Sequence, residues 1–125
     1  MYELAPGWEM DVERGPDCLV VRLGAPDVDL QEEVPLAEPL WNLLQQHFVC
    51  RLVLEMDQVP RLTSHLIGQL VLLHKRLHNE GGFLRLCGIS EGARQSLAIS
   101  RLSARFPDYR DRYEAVGGFR PSQPR

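Results

Sequence analysis

The spacing of apolar and polar residues changes along the chain and marks four strands. Residues 8–13 alternate apolar and polar positions, and residues 18–23 form a more continuous apolar run. Alternation is typical of a half-buried strand, and a continuous run is typical of a buried one. The turn-forming sequence Arg-Gly-Pro-Asp at 14–17 separates the two runs and predicts a hairpin. Further apolar runs at 51–56 and 83–87 predict two more buried strands.

Four other stretches have the spacing of amphipathic helices. The longest is Ser64–Asn79, whose apolar positions follow the i, i+3, i+4, i+7 rule and which Gly81 and Gly82 terminate. The others are predicted at residues 39–47, about 90–101 and 109–116. In the last of these helices we expect Tyr113 and Val116 to face the core.

The order of these elements predicts the fold class. A helix between the strands at 51–56 and 83–87 implies a parallel pair joined by a right-handed crossover, whereas the hairpin adds an antiparallel pair. A short last strand is expected at Phe106. We therefore predict an α/β fold in which a small mixed sheet of four to five strands is covered by about four helices. One domain is expected over residues 1–116, followed by a flexible, Pro-rich C-terminal tail at 117–125.

The composition narrows the class of protein. With 125 residues, of which 44% are hydrophobic and 25% charged, the chain is typical of one globular domain. Its formal net charge of −3 lacks the basic excess of a nucleic-acid binder. Its apolar runs are too short to span a membrane, and its first residues lack the features of a signal peptide. We therefore expect a cytoplasmic protein with neither nucleic acid nor a membrane among its partners.

Residues that could carry out chemistry are few and poorly grouped. The three cysteines have no CxxC spacing, which indicates reduced thiols in place of a disulfide or a metal site. His74 and His78 have the i, i+4 spacing of metal ligands, but the sequence offers no third ligand near them. Asp57 follows a strand without the acidic pair and lysine of a phosphoryl-accepting receiver site. We expect no cofactor, no metal and no enzymatic activity.

Several landmarks follow one another in a specific order along most of the chain. They are the strand at 52–56, the turn ending at Ser64, Gly68 one helical turn later, the run at 72–77, the glycines at 81–82, the run at 84–90 and the closing residues 101–106. From about Cys18 to Val116 this order resembles the STAS domain, which is shared by anti-sigma factor antagonists and the cytoplasmic tails of sulfate transporters. The resemblance implies a bacterial protein of signal transduction and transcription regulation that acts by binding other proteins.

The same resemblance implies a binding site. In stand-alone STAS proteins the turn reads Asp-Ser-Ser/Thr-Gly-Leu-Gly, and its first serine is phosphorylated by a partner kinase that is also an anti-sigma factor. Ser64 matches this phosphoacceptor, and Gly68 matches the second glycine. Thr63 replaces the aspartate, His65 the second Ser/Thr and Leu66 the first glycine. The implied partner-binding residues are Thr63, His65, Leu66, Gly68 and Gln69.

Two interpretations of Ser64 stay open at the level of sequence. As a helix N-cap, the serine would contribute about 1 kcal/mol to stability. As a phosphoacceptor, it would gain a charge of about −1.5 to −2 on a surface that receives a partner. Thr63 could equally be the cap, which would leave Ser64 more exposed.

Three hypotheses of function follow. The first is an anti-sigma factor antagonist that binds an anti-sigma factor with serine kinase activity and is switched by phosphorylation of Ser64. The second is a scaffolding STAS domain without phosphorylation, which docks in a larger signalling complex. A homodimer is compatible with both. The third is a small-ligand or hydrolytic site near His65 and Asp57.

Overall fold

A computed structural model of the protein describes residues 2–5, 8–15, 17–24, 36–60 and 62–117. The strands and helices in this part of the chain are, in order, β1 (Tyr2–Ala5), β2 (Trp8–Gly15), β3 (Cys18–Gly24), α1 (Ala37–Gln46), β4 (Arg51–Gln58), α2 (Ser64–Asn79), β5 (Phe83–Cys87), α3 (Glu91–Ile99) and α4 (Arg112–Gly117). The tail predicted at 117–125 lies outside the described residues, apart from Gly117, which ends α4.

The five described strands form one mixed sheet in the order β1-β2-β3-β4-β5. The pairs β1–β2 and β2–β3 are antiparallel, whereas β3–β4 and β4–β5 are parallel. The predicted α/β fold with a small mixed sheet and four helices is confirmed. The sequence did not predict β1, because a four-residue edge strand gives too short a pattern.

The predicted strand at Phe106 is wrong. Phe106 is buried at a bend, and the nearby extended contact is instead a single parallel bridge between Tyr109 and Cys87. An apolar side chain in this position fills the core without requiring a ladder of strand hydrogen bonds.

One face of the sheet is covered by α1, α2 and α3 and holds the larger core. Successive side chains of a strand point to opposite faces, so alternate residues of β3, β4 and β5 enter this core. The strand residues buried there include Leu19, Val21, Leu23, Leu52, Leu54, Met56, Leu84 and Leu86. The helices contribute mostly leucines, among them Leu40, Leu44, Leu66, Leu70, Leu73, Leu77 and Leu97.

The opposite face of the sheet is covered by the segment that includes α4. Its core is small, and its buried residues are Cys18, Val20, Val53, Cys87, Tyr109 and Ala115. In α4 the buried residue is Ala115, whereas Tyr113 is 81% exposed, so the predicted inward orientation of Tyr113 is wrong. A small side chain is accommodated where the helix lies close to the sheet.

Two arginines attach α4 to the sheet. Arg85 of β5 donates from Nη1 to the backbone oxygens of Ala115 (2.8 Å) and Val116 (3.4 Å). Arg112 of α4 forms ion pairs with Glu13 and with Glu55, the latter at 2.5 Å. The cover over this face is therefore held largely by polar contacts.

The two glycines after α2 end the helix as predicted. Gly81 has a φ of 78°, in the left-handed region that glycine tolerates best. A Cβ atom at Gly82 would lie 1.6 Å from the backbone oxygen of Cys50, so the turn passes directly against the residue that precedes β4. None of the helices in the described ranges is long and apolar enough to cross a membrane.

Candidate functional site at the start of helix α2

The site begins with the loop that connects β4 to α2. Val59 and Leu62 anchor this loop because both are buried. The hydroxyl of Ser90, the N-cap of α3, lies 2.7 Å from the backbone oxygen of Pro60 and accepts a hydrogen bond from the backbone N–H of Ala93 (3.1 Å). One serine thus caps α3 and holds the loop that leads into α2.

Thr63 is the N-cap of α2. Its φ and ψ of −78° and 164° are extended, and its Oγ1 accepts a hydrogen bond from the backbone N–H of Leu66 at 3.2 Å. Its backbone oxygen accepts from the N–H of Ile67 at 3.0 Å. Of the two alternatives left by the sequence, the structure therefore selects Thr63 as the cap, and Ser64 becomes the first residue of the helix.

Ser64 is exposed at this helix terminus. Its hydroxyl takes no part in capping, and within the described residues it forms no side-chain hydrogen bond. His65 is exposed beside it, and the first turn of α2 contains no acidic residue. The positive end of the helix dipole is thus not neutralised by a carboxylate of the helix, which is the environment that favours added negative charge.

Gly68 lies on the same exposed face one turn later. A Cβ atom at this position would meet no atom within 4 Å, and its φ is not in the left-handed region. Neither packing nor backbone conformation therefore requires glycine here, although glycine costs about 0.5–1 kcal/mol relative to alanine inside a helix. Its effect on the surface is to leave a shallow gap between Ser64 and Leu72.

Leu66 and Gln69 do not face outwards as a partner-binding surface requires. Leu66 is fully buried, so the prediction that its side chain contacts a partner is wrong. It belongs to the apolar stripe of α2 and supports the turn from beneath. Gln69 is half-buried, and its Oε1 accepts a hydrogen bond from the backbone N–H of Ala37 at 3.0 Å, which ties α2 to the start of α1.

The structure adds one surface residue that sequence analysis missed. Leu72 is 53% exposed. It follows Ser64 and Gly68 at intervals of four, so the three share one side of the helix. That spacing was available in the sequence, since Leu72 lies outside the apolar repeat of α2, but no binding role was predicted for it. Together Ser64, His65, Gly68 and Leu72 form what we call the outer α2 face.

Residues 9–115 match the model of the STAS domain. The chain belongs to the STAS domain family. No curated protein matches its sequence.

Solved STAS structures share the fold at low sequence identity. An anti-sigma factor antagonist from Mycobacterium paratuberculosis is 18% identical, with a TM-score of 0.72 over 94% of this chain and 97% of that one. The anti-sigma factor antagonist SpoIIAA in its unphosphorylated form is 17% identical, with a TM-score of 0.67 over 90% and 99% of the two chains. The phosphorylated form of SpoIIAA from Bacillus has a TM-score of 0.63 at 18% identity, over 90% and 100%. This chain therefore has the fold of STAS anti-sigma factor antagonists.

The other candidate residues of this STAS domain are not brought together at the turn. The carboxylate of Asp57 lies 2.7 Å from Nη2 of Arg22, on the sheet face opposite to α2. Although partial burial opposes ionisation, hydrogen bonds from Arg22 and Gln58 hold the pKa of Asp57 below its ordinary value. Asp57 is therefore a paired carboxylate, separated by the sheet from His65.

The cysteines and histidines also lack the arrangement of a reactive centre. Burial raises the pKa of the Cys87 thiol to about 12, so it stays protonated near neutral pH. His74 and His78 have stacked rings whose centroids are 6.2 Å apart. In the described part of the chain, no three His, Cys, Asp or Glu residues are grouped so that they could hold a metal ion.

Proposed function

We propose that this STAS protein regulates signalling by binding a protein partner through the outer α2 face, with phosphorylation of Ser64 as the switch. The observation that supports the proposal best is the position of the Ser64 hydroxyl, which is exposed at a helix terminus that Thr63 already caps. A modification there would leave the cap intact. The partner we propose is an anti-sigma factor with serine kinase activity.

The same position explains why the fold itself would tolerate the phosphate. A phosphoserine adds about −1.5 to −2 charge and three strong acceptor oxygens. The positive helix terminus favours this charge, and the first turn of α2 has no carboxylate to repel it. We therefore expect the phosphorylated domain to keep its structure.

A bound partner would experience the phosphate differently. Contact with the outer α2 face would require the partner to desolvate the phosphate or to place its own charges against it. A buried charge left unpaired at an interface typically costs about 2–5 kcal/mol. Phosphorylation would thus release the partner without a change of fold.

Binding, and not catalysis, is what this surface supports. The Ser64 hydroxyl has no hydrogen-bonded base within the described residues. His65 is its neighbour in a helix, where adjacent side chains point in directions about 100° apart and do not face each other. We propose that the protein acts in the cytoplasm, without cofactor or enzymatic activity, and that His65, Gly68 and Leu72 contact the partner.

The test combines phosphorylation with binding. The protein is mixed with candidate anti-sigma kinases of the same genome and ATP, and its intact mass is measured. We expect one phosphate on the wild type and none on Ser64→Ala. Ser64→Asp should weaken binding of the unmodified partner at least about tenfold, as for a charge introduced into an interface.

A matched control tests whether the position of the added charge matters. Ser103→Asp introduces the same charge at another exposed serine, in the turn that follows α3, and should leave binding unchanged. If no kinase adds phosphate and Ser64→Asp binds the partner like the wild type, the proposal of a phosphorylation switch is wrong. A stable partner that ignores every substitution at Ser64 would favour the scaffolding function.

A further inference from the structure

The last turns of α2 and the segment after α3 enclose a cleft that the proposed function does not use. Its volume is about 330 Å³. The residues that line it are His74, Lys75, His78, Asn79 and Arg105. All the ionisable groups among these lining residues are bases, although the chain as a whole carries a net charge of −3.

The fold accounts for this collection of bases only in part. Basic residues at the end of a helix interact favourably with its dipole, which explains His78. Arg105, from the segment after α3, lies beside the same helix end and gains from the dipole as well, but the dipole amounts to only about half an elementary charge and does not balance Lys75 and Arg105 together. Within the described residues, neither Arg105 nor Lys75 forms an ion pair.

Most of the other arginines in the described part of the chain form ion pairs or hydrogen bonds. Those that form ion pairs are Arg22, Arg76, Arg94, Arg110 and Arg112. In addition, Arg85 donates hydrogen bonds to the backbone of α4. Against this background, a cleft whose described lining gathers bases without a carboxylate costs electrostatic energy, and an anionic ligand would recover it.

The ring of His74, which lines the cleft, has a buried atom whose position the fold leaves unexplained. Nδ1 of His74 is buried and has no hydrogen-bond partner among the described residues. The ring is held between Phe106, at a centroid distance of 5.4 Å and an edge-to-face angle of 70°, and the stacked ring of His78. The imidazole is therefore fixed in place without serving a hydrogen bond of the fold, and a buried polar atom left in this way requires an explanation.

We propose that this cleft binds a small molecule that carries a phosphate group, with Lys75 and Arg105 as its main ligands. Arginine offers a fork of N–H donors that matches phosphate oxygens, and lysine adds a compact charge. The volume falls near the lower end of the range of about 300–1,000 Å³ for small-molecule sites. Asn79 and His78 complete a polar rim.

The cleft is separate from the proposed switch. Lys75 follows Ser64 by eleven residues in the same helix, which places the two about 16 Å apart along its axis. The proposal therefore does not depend on the function assigned to the outer α2 face. A phosphate bound in the cleft and a phosphate carried by Ser64 would be distinct features of one helix.

The test is a titration of the full chain followed by backbone amide NMR. Inorganic phosphate, AMP and adenosine are added separately, with the ionic strength held constant by sodium chloride. We expect saturable shifts at residues 74–79 and 105 with phosphate or AMP, and none with adenosine. Tighter binding of AMP would identify a phosphate ester as the ligand, and equal binding would identify the free anion.

Matched variants complete the test. Arg105→Ala and Lys75→Ala should each weaken the binding at least about tenfold, as expected for the loss of a charge-assisted contact. Arg101→Asn serves as the control, because it removes one charge from the same segment at a position outside the cleft. The backbone φ of Arg101 is 61°, which asparagine tolerates, and this variant should change phosphate binding little. Ser64→Asp should not alter the phosphate titration, so failure of the switch leaves this proposal intact.

Three results would overturn the proposal. Shifts that grow linearly without saturation would show weak attraction to the surface only. An equal loss in Arg101→Asn and Arg105→Ala would show that net charge matters and the cleft does not. Binding of a polyglutamate peptide without binding of phosphate or AMP would assign the cleft to a protein contact.

Discussion

Helix α2 has a buried inner face and an exposed outer face, and the residues of the two faces serve different purposes. The inner face carries Leu66, Ile67, Leu70, Leu73 and Leu77, all buried against the sheet or the neighbouring helices. The outer face carries Ser64, His65, Gly68 and Leu72, all exposed. Stability explains the inner residues completely. It does not explain a glycine in the middle of the outer face, or a half-exposed leucine beside it.

This difference separates what folding requires from what binding requires. On the inner face, substitutions should change the free energy of unfolding and leave the properties of the folded surface intact. On the outer face, they should change affinity for a partner at little cost in stability, or even with a gain. The following predictions test that separation, beginning with the largest effect.

A pair of leucines provides the strongest contrast. Leu70→Ala should lower the free energy of unfolding by about 2–5 kcal/mol, because it removes a fully buried side chain and leaves a cavity. Leu72→Ala, with the same chemical change two residues away, should alter it by no more than about 0.5 kcal/mol. Urea unfolding followed by circular dichroism measures both. Equal losses would mean that Leu72 belongs to the core.

The cap of α2 should give an intermediate effect. Thr63→Ala should destabilise the domain by about 1 kcal/mol, because the Leu66 N–H loses its acceptor. Thr63→Ser keeps a hydroxyl at the cap and serves as the control, with stability near that of the wild type. The same urea titration applies. If Ser64→Ala proved the more destabilising of the two alanine variants, the capping roles would be reversed.

Gly68 should show opposite effects on stability and binding. Gly68→Ala should raise the free energy of unfolding by about 0.5–1 kcal/mol, because alanine is the better helix former and the added methyl group meets no atom. The same methyl group fills the gap on the outer face and should weaken binding to the partner. Calorimetric titration of the partner, together with the melting temperature, checks both. A variant that is more stable and binds unchanged would exclude Gly68 from the interface.

The smallest effect concerns pH. Burial, followed by the charges of Arg105 and His78, lowers the pKa of His74. The unfolded chain therefore binds a proton more readily than the folded one, and stability falls as the pH drops below the ordinary histidine pKa of about 6.5. In His74→Gln this part of the pH dependence should be missing. The measurement is the unfolding midpoint of the wild type and of His74→Gln at pH 7.5 and at pH 5.5. An equal change of the midpoint with pH in both proteins would contradict the prediction.

The sequence predicted the inner face better than the outer one, for a physical reason. The boundaries of α2 followed from the apolar repeat and from the glycines after Asn79, since both are local properties. Leu66 was misassigned because a motif match placed it on the binding surface, although its position in the apolar repeat placed it in the core. Where motif and periodicity disagreed, periodicity was right.

Other features depended on tertiary contacts that no local pattern contains. The bond between Gln69 and the start of α1 joins residues 32 positions apart, and that between Ser90 and Pro60 joins residues 30 apart. The exposure of Tyr113 likewise follows from how closely α4 lies to the sheet. The predicted roles of Ser64, His65 and Gly68 stay predictions, but the structure places all three on one exposed surface.

The polar attachment of α4 has a consequence for how the domain opens. This short helix buries one alanine and is held by Arg85 and Arg112, so high salt should loosen it long before the leucine-rich layer yields. Its departure would uncover the sulfur of Cys87 and remove the burial that is the main cause of the raised pKa of its thiol. The rate at which that sulfur is alkylated would then report local detachment of α4. We expect this rate to increase with salt concentration independently of the rate of global unfolding.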